Sequence, residues 1–350
     1  MNQPVSPAAE TAAVLMPELL LRNQGVVRLG HLVAHPRHWQ EPAATERAAY
    51  EEMLEGGSGP DGYAYLGFPW ATLIDGLRAD ATVAFELMAA LEPCRRALPS
   101  GMCIATVVQH IYADRYAPIL RACGVTDLFW SHARRGQDRL QGMRLHPFPL
   151  FPAQTPDGPD PADPHRPRRW LANFIGAHDP KVYLTDVRGQ IFADADRFED
   201  VLIIRRRAWH FERAVYEQQV GGRNAEEARL ADEAKARDEY LAAIRDSTFT
   251  LCPSGSGPNS IRIFESLALS SIPIILTRTL ALPGEQALWE RTCILEEDSA
   301  EGYRRALAKA RAMPDGEIRD RQAGTQALFA QVGPAGWKDL IHARMHERNS

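Results

Sequence analysis

The sequence has 350 residues, 45% of them hydrophobic, and a formal net charge of −5 at pH 7. This length favours two domains with buried cores, and the mild acidity gives no general attraction to nucleic acid. The five cysteines are scattered without C-x-x-C spacing, so the sequence indicates neither a disulfide framework nor a zinc site.

Residues 1–13, rich in Pro, Ala and Ser, are expected to form a flexible N-terminus. The apolar piece that follows is interrupted by Pro17 and Glu18, which predicts neither a signal peptide nor a membrane span. We therefore expect a cytoplasmic protein, with peripheral contact with the inner membrane as an alternative that the sequence does not exclude.

Residues 14–150 alternate short apolar strands with amphipathic helices, which is typical of a Rossmann-like domain with a parallel sheet. The predicted strands are residues 30–34, 63–67, 103–108 and 125–130. The predicted helices are residues 45–54, 82–98 and 114–123. Residues 68–75 are predicted to lead into a further helix.

Histidines follow three of these strands: His35, His110 and His132. The carboxyl ends of parallel strands are where ligands bind in α/β domains, so this pattern indicates a polar cleft. Arg37 and Trp70 lie near the same predicted edge, and an aromatic ring there could pack on a sugar face. Ordinary core packing is the alternative for Trp70.

The proline-rich stretch 151–167 is expected to be a stiff linker, and residues 168–350 a second Rossmann-like domain. Its predicted strands are residues 170–175, 201–204, 249–252, 272–276 and 292–295. Its predicted helices are residues 182–192, 209–219 and 224–246. A crossover helix is predicted between the strands 249–252 and 272–276, and the chain from residue 299 onward is predicted to be helical.

The strongest functional signal is the strand, glycine-bearing loop, helix and strand between residues 249 and 276. Gly255 and Gly257 free the loop backbone to turn its N–H groups toward one point. The residues that could cap the following helix are Ser254, Ser256, Asn259 and Ser260. Because helix N-termini bind anions, we expect a phosphate or diphosphate here. The loop matches neither G-x-G-x-x-G nor a loop ending in Gly-Lys-Ser/Thr.

Arg262 and Glu265 lie three residues apart on this helix and share a face. The arginine could place a positive charge beside a diphosphate, and the glutamate could accept hydrogen bonds from sugar hydroxyls. The pattern equally fits a solvated i,i+3 salt bridge.

The run Phe-x-Leu-Cys-Pro-x-Gly, Ser-x-Arg-x-x-Glu and Ile-Pro-Ile-Ile-Leu resembles the donor-binding signature of exostosin-like glycosyltransferases of the bacterial branch. Residues 35–39 and 174–177, the latter including Gly176, also resemble that family. The resemblance implies an α/β GT-B fold of two Rossmann-like domains facing a cleft. It further implies a nucleotide-sugar donor, specifically a UDP-sugar, inversion at the anomeric carbon, and no metal or other cofactor. The implied acceptor is a glycan or lipid-linked oligosaccharide of bacterial surface polysaccharide synthesis.

Inversion requires a general base that faces the donor, which places it in the N-terminal domain. His110 is our first choice because its ordinary pKa suits proton transfer near neutral pH, and Asp75 and Asp114 are the carboxylate alternatives. The expected acceptor-binding residues are His35, Arg37, Trp70 and His132. A non-catalytic module that binds nucleotide sugar or glycan is the alternative function. A dinucleotide oxidoreductase is disfavoured by the glycine pattern.

Overall fold

The computed structural model describes residues 25–41, 43–56, 61–155, 166–206 and 227–346. They form two compact α/β units, of which the first holds the chain up to Phe148 and again from Trp337 onward. The second unit begins at Pro149 and ends at Gly336. The predicted α/β class with two Rossmann-like domains, as in GT-B proteins, is confirmed. The predictions for residues 1–13, for 209–219 and for most of the linker 151–167 lie outside the described residues.

The first unit is built on a seven-stranded sheet. Its strands are β1 (Val27–Leu29), β2 (Leu32–Ala34), β3 (Tyr63–Gly67), β4 (Cys103–Val108), β5 (Val125–Trp130), β6 (Arg139–Leu140) and β7 (Met143–Pro147). In the order β1-β2-β3-β4-β5-β7-β6, the strands from β2 to β7 run parallel, while β1 and β6 pair antiparallel at the two edges. Of these strands, β1, β6 and β7 were not predicted from the sequence. β1 and β6 have only two or three residues, which carry no readable alternation.

Four helices accompany this sheet before the second unit begins: α1 (Thr45–Glu55), α2 (Trp70–Ala79), α3 (Thr82–Ala97) and α4 (Ala113–Ala122). These helices confirm the predicted periodicity, and the bounds of β3, β4 and β5 are those predicted. Many large side chains of this unit, including Tyr63, Phe129 and Trp130, are almost completely buried. The apolar runs of the sequence therefore form the core.

The second unit is built on a five-stranded sheet that is parallel throughout. Its elements in chain order are β8 (Trp170–Gly176), α5 (Val187–Ala193), β9 (Val201–Arg205), α6 (Glu227–Arg245), β10 (Ser247–Pro253), α7 (Ile261–Ala268), β11 (Ile272–Leu276), α8 (Gln286–Thr292), β12 (Ile294–Glu296), α9 (Ala300–Ala312) and α10 (Asp315–Val332). The strand order is β12-β11-β10-β8-β9. The direction of strand addition thus reverses between β8 and β10, as in doubly wound folds.

Apolar side chains cover both faces of this second sheet. Neighbouring residues of β10 point to opposite faces, so Leu251 packs with Phe174 while Cys252 packs with Phe264 and Trp289. No helix in the described part of the chain is both long and apolar enough to cross a membrane.

Several predicted elements of the second unit have different bounds, and two of these differences have a clear structural reason. The helix predicted over 182–192 begins only at Val187, because the preceding segment turns onto the glycine loop, where the Leu184 N–H donates to the Gly255 carbonyl at 3.1 Å. The strand predicted to begin at residue 292 starts at Ile294, since Thr292 still belongs to α8.

The last described helix, α11 (Trp337–His346), groups with the first unit. It follows a single 3₁₀ turn, Pro334–Gly336, and packs against α1. The Trp337 ring is fully buried and lies 5.0 Å from the Phe148 ring. The sequence analysis placed this segment in the C-terminal domain, because helical periodicity does not reveal which core an apolar face joins.

Candidate functional site

The predicted donor residues lie at the carboxyl edge of the second sheet, where the strand order reverses. β8 ends at Gly176 and β10 at Pro253, and the two strands are neighbours, whereas β9 lies on the other side of β8. Ligands of open α/β sheets bind in the crevice at such a reversal. The fold therefore brings Gly176 next to the loop 254–260, although about 80 residues separate them in sequence.

The loop 254–260 is held firmly at both ends. Ser254, Asn259 and Ser260 are buried, and the Gly255 N–H donates to the Gly257 carbonyl at 3.0 Å. Asn259 Oδ1 accepts the Ser260 N–H at 2.8 Å, while the Ser260 side chain makes no capping hydrogen bond to α7. Ser260, one of the four residues predicted as possible caps, thus holds the N-cap position of α7 without a side-chain cap, and the first N–H groups of the helix remain suited to an anion.

Arg262 turns back from α7 onto the end of β8. Its Nη2 donates to the Ile175 carbonyl at 2.6 Å, and the guanidinium lies 4.9 Å from the Phe174 ring centroid. A Cβ on Gly176 would lie only 2.6 Å from this Nη2, so a side chain at that position would require the guanidinium to move. In the described part of the chain, no carboxylate lies within salt-bridge distance of Arg262, so the i,i+3 salt bridge with Glu265 is not formed.

Glu265 is 1% exposed, so the face that it occupies is not a solvated one. The Tyr240 hydroxyl donates to Oε2 at 2.5 Å, and the Gln154 N–H donates to Oε1 at 3.1 Å. Burial raises the pKa of this carboxyl, which these two donors partly oppose. A hydroxyl group of the nucleotide sugar could bind Glu265 only by sharing or replacing one of these two hydrogen bonds. The predicted role of Glu265 in binding the nucleotide sugar stays a prediction.

Arg188, on α5, is a member of this edge that the sequence analysis missed. It is 4% exposed, and it donates from Nε to the Ser254 carbonyl at 3.0 Å and from Nη1 to the Ala177 carbonyl at 3.1 Å. Burial, followed by the neighbouring charge of Arg262, lowers the pKa of Arg188 to about 9. The sequence does hold one indication of this role: no acidic residue lies three or four positions from Arg188 on either side, so the arginine has no ion-pair partner on its own helix.

Asp298 follows β12 and reaches the same loop. Its Oδ2 accepts hydrogen bonds from the hydroxyls of Thr185, at 2.9 Å, and of Ser254. Its Oδ1 is buried without a partner among the described residues, and burial raises the pKa of the carboxyl. Asp298 therefore fixes Ser254, and with it the start of the glycine loop.

The first unit brings the three predicted histidines to one sheet edge. His35, His110 and His132 follow β2, β4 and β5, and each is at least nine-tenths buried. The Tyr112 N–H donates to His110 Nδ1 at 3.1 Å, and His110 Nε2 lies 3.0 Å from Asp75 Oδ1. A neutral His110 therefore carries its proton on Nε2, and both ring nitrogens are engaged.

The two carboxylate candidates differ in their surroundings. Asp75 is 3% exposed and also accepts hydrogen bonds from Gln40 at 2.9 Å and Arg78 at 3.2 Å. Burial alone would raise its pKa, but the hydrogen bonds and the charges around it outweigh burial and hold the pKa below its ordinary value. Asp114 lies in the first turn of α4, is half-buried, and accepts the Arg115 N–H at 2.9 Å. Asp75 and His110 thus form one pair, from which Asp114 is separate.

The four predicted acceptor residues have different environments. Burial lowers the pKa of His132 to about 3 and that of His35 to about 4, so both are neutral at pH 7, and the Nδ1 of each is buried without a partner among the described residues. Arg37 is exposed. Trp70 is in the core, 2% exposed, with its indole N–H donating to Thr106 Oγ1 at 2.8 Å, so it presents no ring face to a sugar.

Glu46 is a second group that sequence reasoning missed. It is 3% exposed at the start of α1, and its carboxylate accepts the Ala71 N–H at 3.0 Å and the Gln109 N–H at 3.1 Å. Burial raises its pKa to about 8. A protein carboxylate therefore occupies the N-terminus of α2. Among the described residues, no three His, Cys, Asp or Glu side chains are grouped so as to hold a metal ion.

Comparison with known proteins identifies part of the chain. The sequence model of the Exostosin GT47 domain matches residues 126–299, which include all but the first residue of β5 and the whole edge around Gly176. A search of curated protein sequences finds no match. The resemblance expected from the strand-loop-helix motif is thus confirmed.

Solved structures resemble the chain only distantly. The α,α-trehalose 6-phosphate synthase of Burkholderia multivorans has 14% identity and a TM-score of 0.37, over 88% of this chain and 75% of that one. An E. coli trehalose-6-phosphate structure bound with UDP-2-fluoro glucose has 11% identity and a TM-score of 0.45, over 89% of this chain and 98% of that one. The pneumococcal O-GlcNAc transferase GtfA, in complex with UDP and GlcNAc, has 11% identity and a TM-score of 0.41, over 81% of this chain and 56% of that one. At these scores the likeness assigns no role to any residue.

Proposed function

We propose that this chain, whose residues 126–299 match the model of the Exostosin GT47 domain, is a glycosyltransferase that uses a UDP-sugar as donor. The nucleotide binds at the carboxyl edge of the second sheet, between the end of β8 and the loop 254–260. The donor-binding residues of the proposal are Gly176, Ser254, Gly255, Ser256, Gly257, Asn259, Ser260, Arg262 and Glu265.

One observation carries this proposal. The Arg262 guanidinium lies against Gly176, where the strand order reverses, and no carboxylate among the described residues is within salt-bridge distance of it. The guanidinium bonds only to the Ile175 carbonyl, in the described part of the chain, and it adjoins the start of α7. An anion placed here would meet a fixed positive charge and backbone N–H groups at once, which is the chemistry that holds a diphosphate. Because arginine supplies that charge, the proposal needs no metal ion or other cofactor.

The finer parts of the function are proposals of the same kind. Transfer inverts the anomeric carbon, and the acceptor is a glycan or lipid-linked oligosaccharide of a bacterial surface polysaccharide. The reaction takes place in the cytoplasm, with at most peripheral membrane contact. His35, Arg37 and His132 bind the acceptor in this proposal, whereas the burial of Trp70 speaks against its inclusion.

The general base is proposed to be His110, which Asp75 orients, with Asp114 as the alternative. The lone pair of His110 that could take a proton is on Nδ1, since Nε2 faces Asp75. An acceptor hydroxyl must therefore replace the Tyr112 N–H at Nδ1. Asp114 needs no such exchange, because among the described residues only its Oδ1 accepts a hydrogen bond.

The proposal is tested by calorimetry of the whole chain with UDP, GDP, dTDP and CMP, followed by donor hydrolysis with UDP-sugars. We expect UDP to bind, and Arg262→Ala to lose about 1.5 to 3 kcal/mol of that binding, the range for a hydrogen bond to a charged group. Arg168→Ala is the matched control, since Arg168 also donates to backbone carbonyls but stands at the amino end of β8.

Failure of all four nucleotides to bind would overturn the proposed function. Binding of UDP with neither hydrolysis nor transfer of any UDP-sugar would favour the non-catalytic binding module instead.

A further inference from the structure

Two side-chain amides connect the start of α1 to the pair of Asp75 and His110. Gln40 Nε2 donates to Asp75 Oδ2 at 2.9 Å, and Gln40 Oε1 accepts a hydrogen bond from Gln109 Nε2 at 2.9 Å. Gln109 Oε1 in turn accepts the Glu46 N–H at 3.3 Å. Asp75 Oδ1 lies 3.0 Å from His110 Nε2. The side chains of Gln40 and Gln109, the amide relay, thus link a backbone N–H of α1 to the imidazole.

The chemistry at its two ends fixes the orientation of both amides. The Glu46 N–H can only donate, so the Gln109 oxygen must face it and the Gln109 NH₂ group must face Gln40. The Gln40 oxygen then faces Gln109, which directs the Gln40 NH₂ group at Asp75. Burial alone would raise the pKa of Asp75, but its hydrogen bonds and the nearby positive charge hold the pKa below its ordinary value, so Asp75 is an ionised acceptor. Rotation of either amide would set two donors or two acceptors against each other.

Glu46 ties together the two segments that carry the pair. Its carboxyl group accepts the Ala71 N–H at 3.0 Å, in the first turn of α2 and one turn before Asp75. It also accepts the Gln109 N–H at 3.1 Å, directly before His110. The start of α1 therefore fixes the backbone of both members of the pair, while the amide relay fixes the carboxylate of one of them.

The other titratable groups that face Asp75 do not replace Gln40. Arg78 Nη1 lies 3.2 Å from Oδ1, the oxygen that also faces His110. Burial, with the Asp75 charge as a smaller cause, raises the pKa of Glu46 to about 8. Among the described residues, Gln40 is the sole hydrogen-bond donor to Asp75 Oδ2.

The segment that carries Gln40 is anchored independently of its side chain. The Thr72 hydroxyl donates to the His38 carbonyl at 2.6 Å, and the Trp39 ring lies 5.5 Å from the Tyr50 ring. A substitution of Gln40 should therefore leave the backbone in place and act through Asp75.

We propose that Gln40 is a positioning residue, which through the amide relay holds Asp75 in the orientation that receives the Nε2 proton of His110. The inference rests on the proposed function, in which His110 is the general base. When Nδ1 takes the proton of the acceptor hydroxyl, the ring becomes an imidazolium whose Nε2–H still donates to the ionised Asp75. Without the relay the carboxylate can turn away, and the imidazole loses the group that orients it.

Steady-state kinetics of the whole chain, with the UDP-sugar that it turns over, test the relay in Gln40→Met. This variant keeps the length of the side chain and removes both polar atoms. We expect kcat to fall roughly ten- to a hundredfold at every pH, the cost of a reacting group displaced by about 1 Å. The donor KM, and UDP affinity by calorimetry, should stay near those of the parent chain, because Gln40 lies in the first unit.

Gln40→Glu gives a readout that a merely structural role would not move. Its new carboxyl group, when protonated, can donate to Asp75 and accept from Gln109, whereas the ionised form can only accept and repels Asp75. Relative to the parent chain at the same pH, kcat should therefore be near normal at about pH 5 and fall toward that of Gln40→Met by about pH 8. Urea unfolding should show the same variant losing stability relative to the parent as pH rises, which reports the contact without any turnover.

Two controls isolate the route through His110. Gln286 Nε2 also donates to a carboxylate, Glu290 Oε1 at 3.1 Å, but on the exposed surface of α8. Gln286→Met and Gln286→Glu should keep the kcat of the parent chain at each pH. In a chain that already carries His110→Ala, Gln40→Met should cause no further loss of kcat, because the group that it positions is gone.

Parent-like kcat in a folded Gln40→Met chain would overturn the positioning role and leave the proposed function standing. A pH-independent kcat ratio for Gln40→Glu would do the same, and this variant keeps the inference testable if Gln40→Met fails to fold. A further loss from Gln40→Met beside His110→Ala would also overturn it, since Gln40 would then act by another route. Absence of turnover of any UDP-sugar by the parent chain would instead overturn the proposed enzyme function, and the positioning role with it.

Discussion

Buried charged residues differ between the two sheet edges. The second unit buries Arg188 beside the partly buried Arg262, which places two guanidiniums at its edge together with the carboxyls of Glu265 and Asp298, whose pKa values burial raises. The first unit buries the carboxyls of Glu46 and Asp75 together with the imidazole of His132, whose lowered pKa keeps it neutral at pH 7. This second kind of edge can orient hydroxyl groups and accept a proton, but it offers little to a phosphate.

At the residue scale, the base assignment predicts a difference between His110→Ala and Asp114→Asn. If His110 is the base, its loss should reduce turnover by roughly a hundred- to ten-thousandfold while UDP affinity stays near that of the parent chain. Steady-state hydrolysis or transfer with a UDP-sugar measures the first, and calorimetry the second. A large loss in Asp114→Asn with near-normal turnover in His110→Ala would transfer the role to Asp114.

Glu46 predicts how stability changes with pH. Burial raises its pKa from 4.5 to about 8, so between these values the folded chain holds a proton that the unfolded chain has released. The contribution of Glu46 to stability should therefore fall as pH rises from 4.5 to about 8 and be level beyond. Urea unfolding of the parent chain and Glu46→Gln over this range should show the parent losing stability relative to the variant.

Glu92→Gln is the control for that experiment. Glu92 is exposed and held by Arg95 and Arg96, which lower its pKa to about 2, so its contribution is lost only as pH falls below 4.5. The difference between the parent chain and Glu92→Gln should be constant from pH 4.5 to 8. A constant difference for Glu46→Gln as well would mean that the Ala71 and Gln109 N–H groups keep Glu46 ionised.

At the scale of elements, β4 and β11 could be predicted from sequence because each is a largely apolar run of five or six residues. The glycine loop and the helix Ile261–Ala268 were equally readable, since small residues before an amphipathic run mark a helix start. What could not be read is what a side chain meets across the sheet. Arg188 reaches Ser254, 66 residues away, and Glu265 reaches Gln154, 111 residues away, through contacts that no local pattern encodes.

The placement of α11 gives a prediction at this scale. Phe148, at the end of the first stretch of unit one, is 1% exposed and packs edge-on against Trp337 of α11. Phe148→Ala should therefore cost about 3 to 5 kcal/mol of unfolding free energy, as a cavity opens and α11 loses its main aromatic contact. Phe85→Ala makes the same chemical change at a site 68% exposed in the same unit, and should cost under about 0.5 kcal/mol. Equal losses in urea unfolding would contradict the docking of α11 at Phe148.

At the scale of the whole molecule, the two units differ in which segments of the chain form them and in the topology of their sheets. The first unit includes α11, which comes after the second unit in the sequence. Among its described strands, the parallel ones lie side by side in the order in which they occur in the sequence. The second unit reverses its strand order at β8 and β10, where the two guanidiniums lie. The topology thus supplies a ready crevice only in the second unit's described sheet.

This asymmetry predicts where UDP alone should change hydrogen exchange. The groups proposed to bind the nucleotide all belong to the second unit: Arg262 and the backbone from Ser254 to the start of α7. Bound UDP should therefore slow exchange in peptides covering residues 249–264, whose amides would donate to the phosphates or lie beneath them. Peptides covering Cys103–Val108 of β4 should exchange as in the free chain and serve as the internal control. Mass spectrometry of the exchanging chain with saturating UDP measures both, and slowing confined to the β4 peptide would place the nucleotide on the first unit instead.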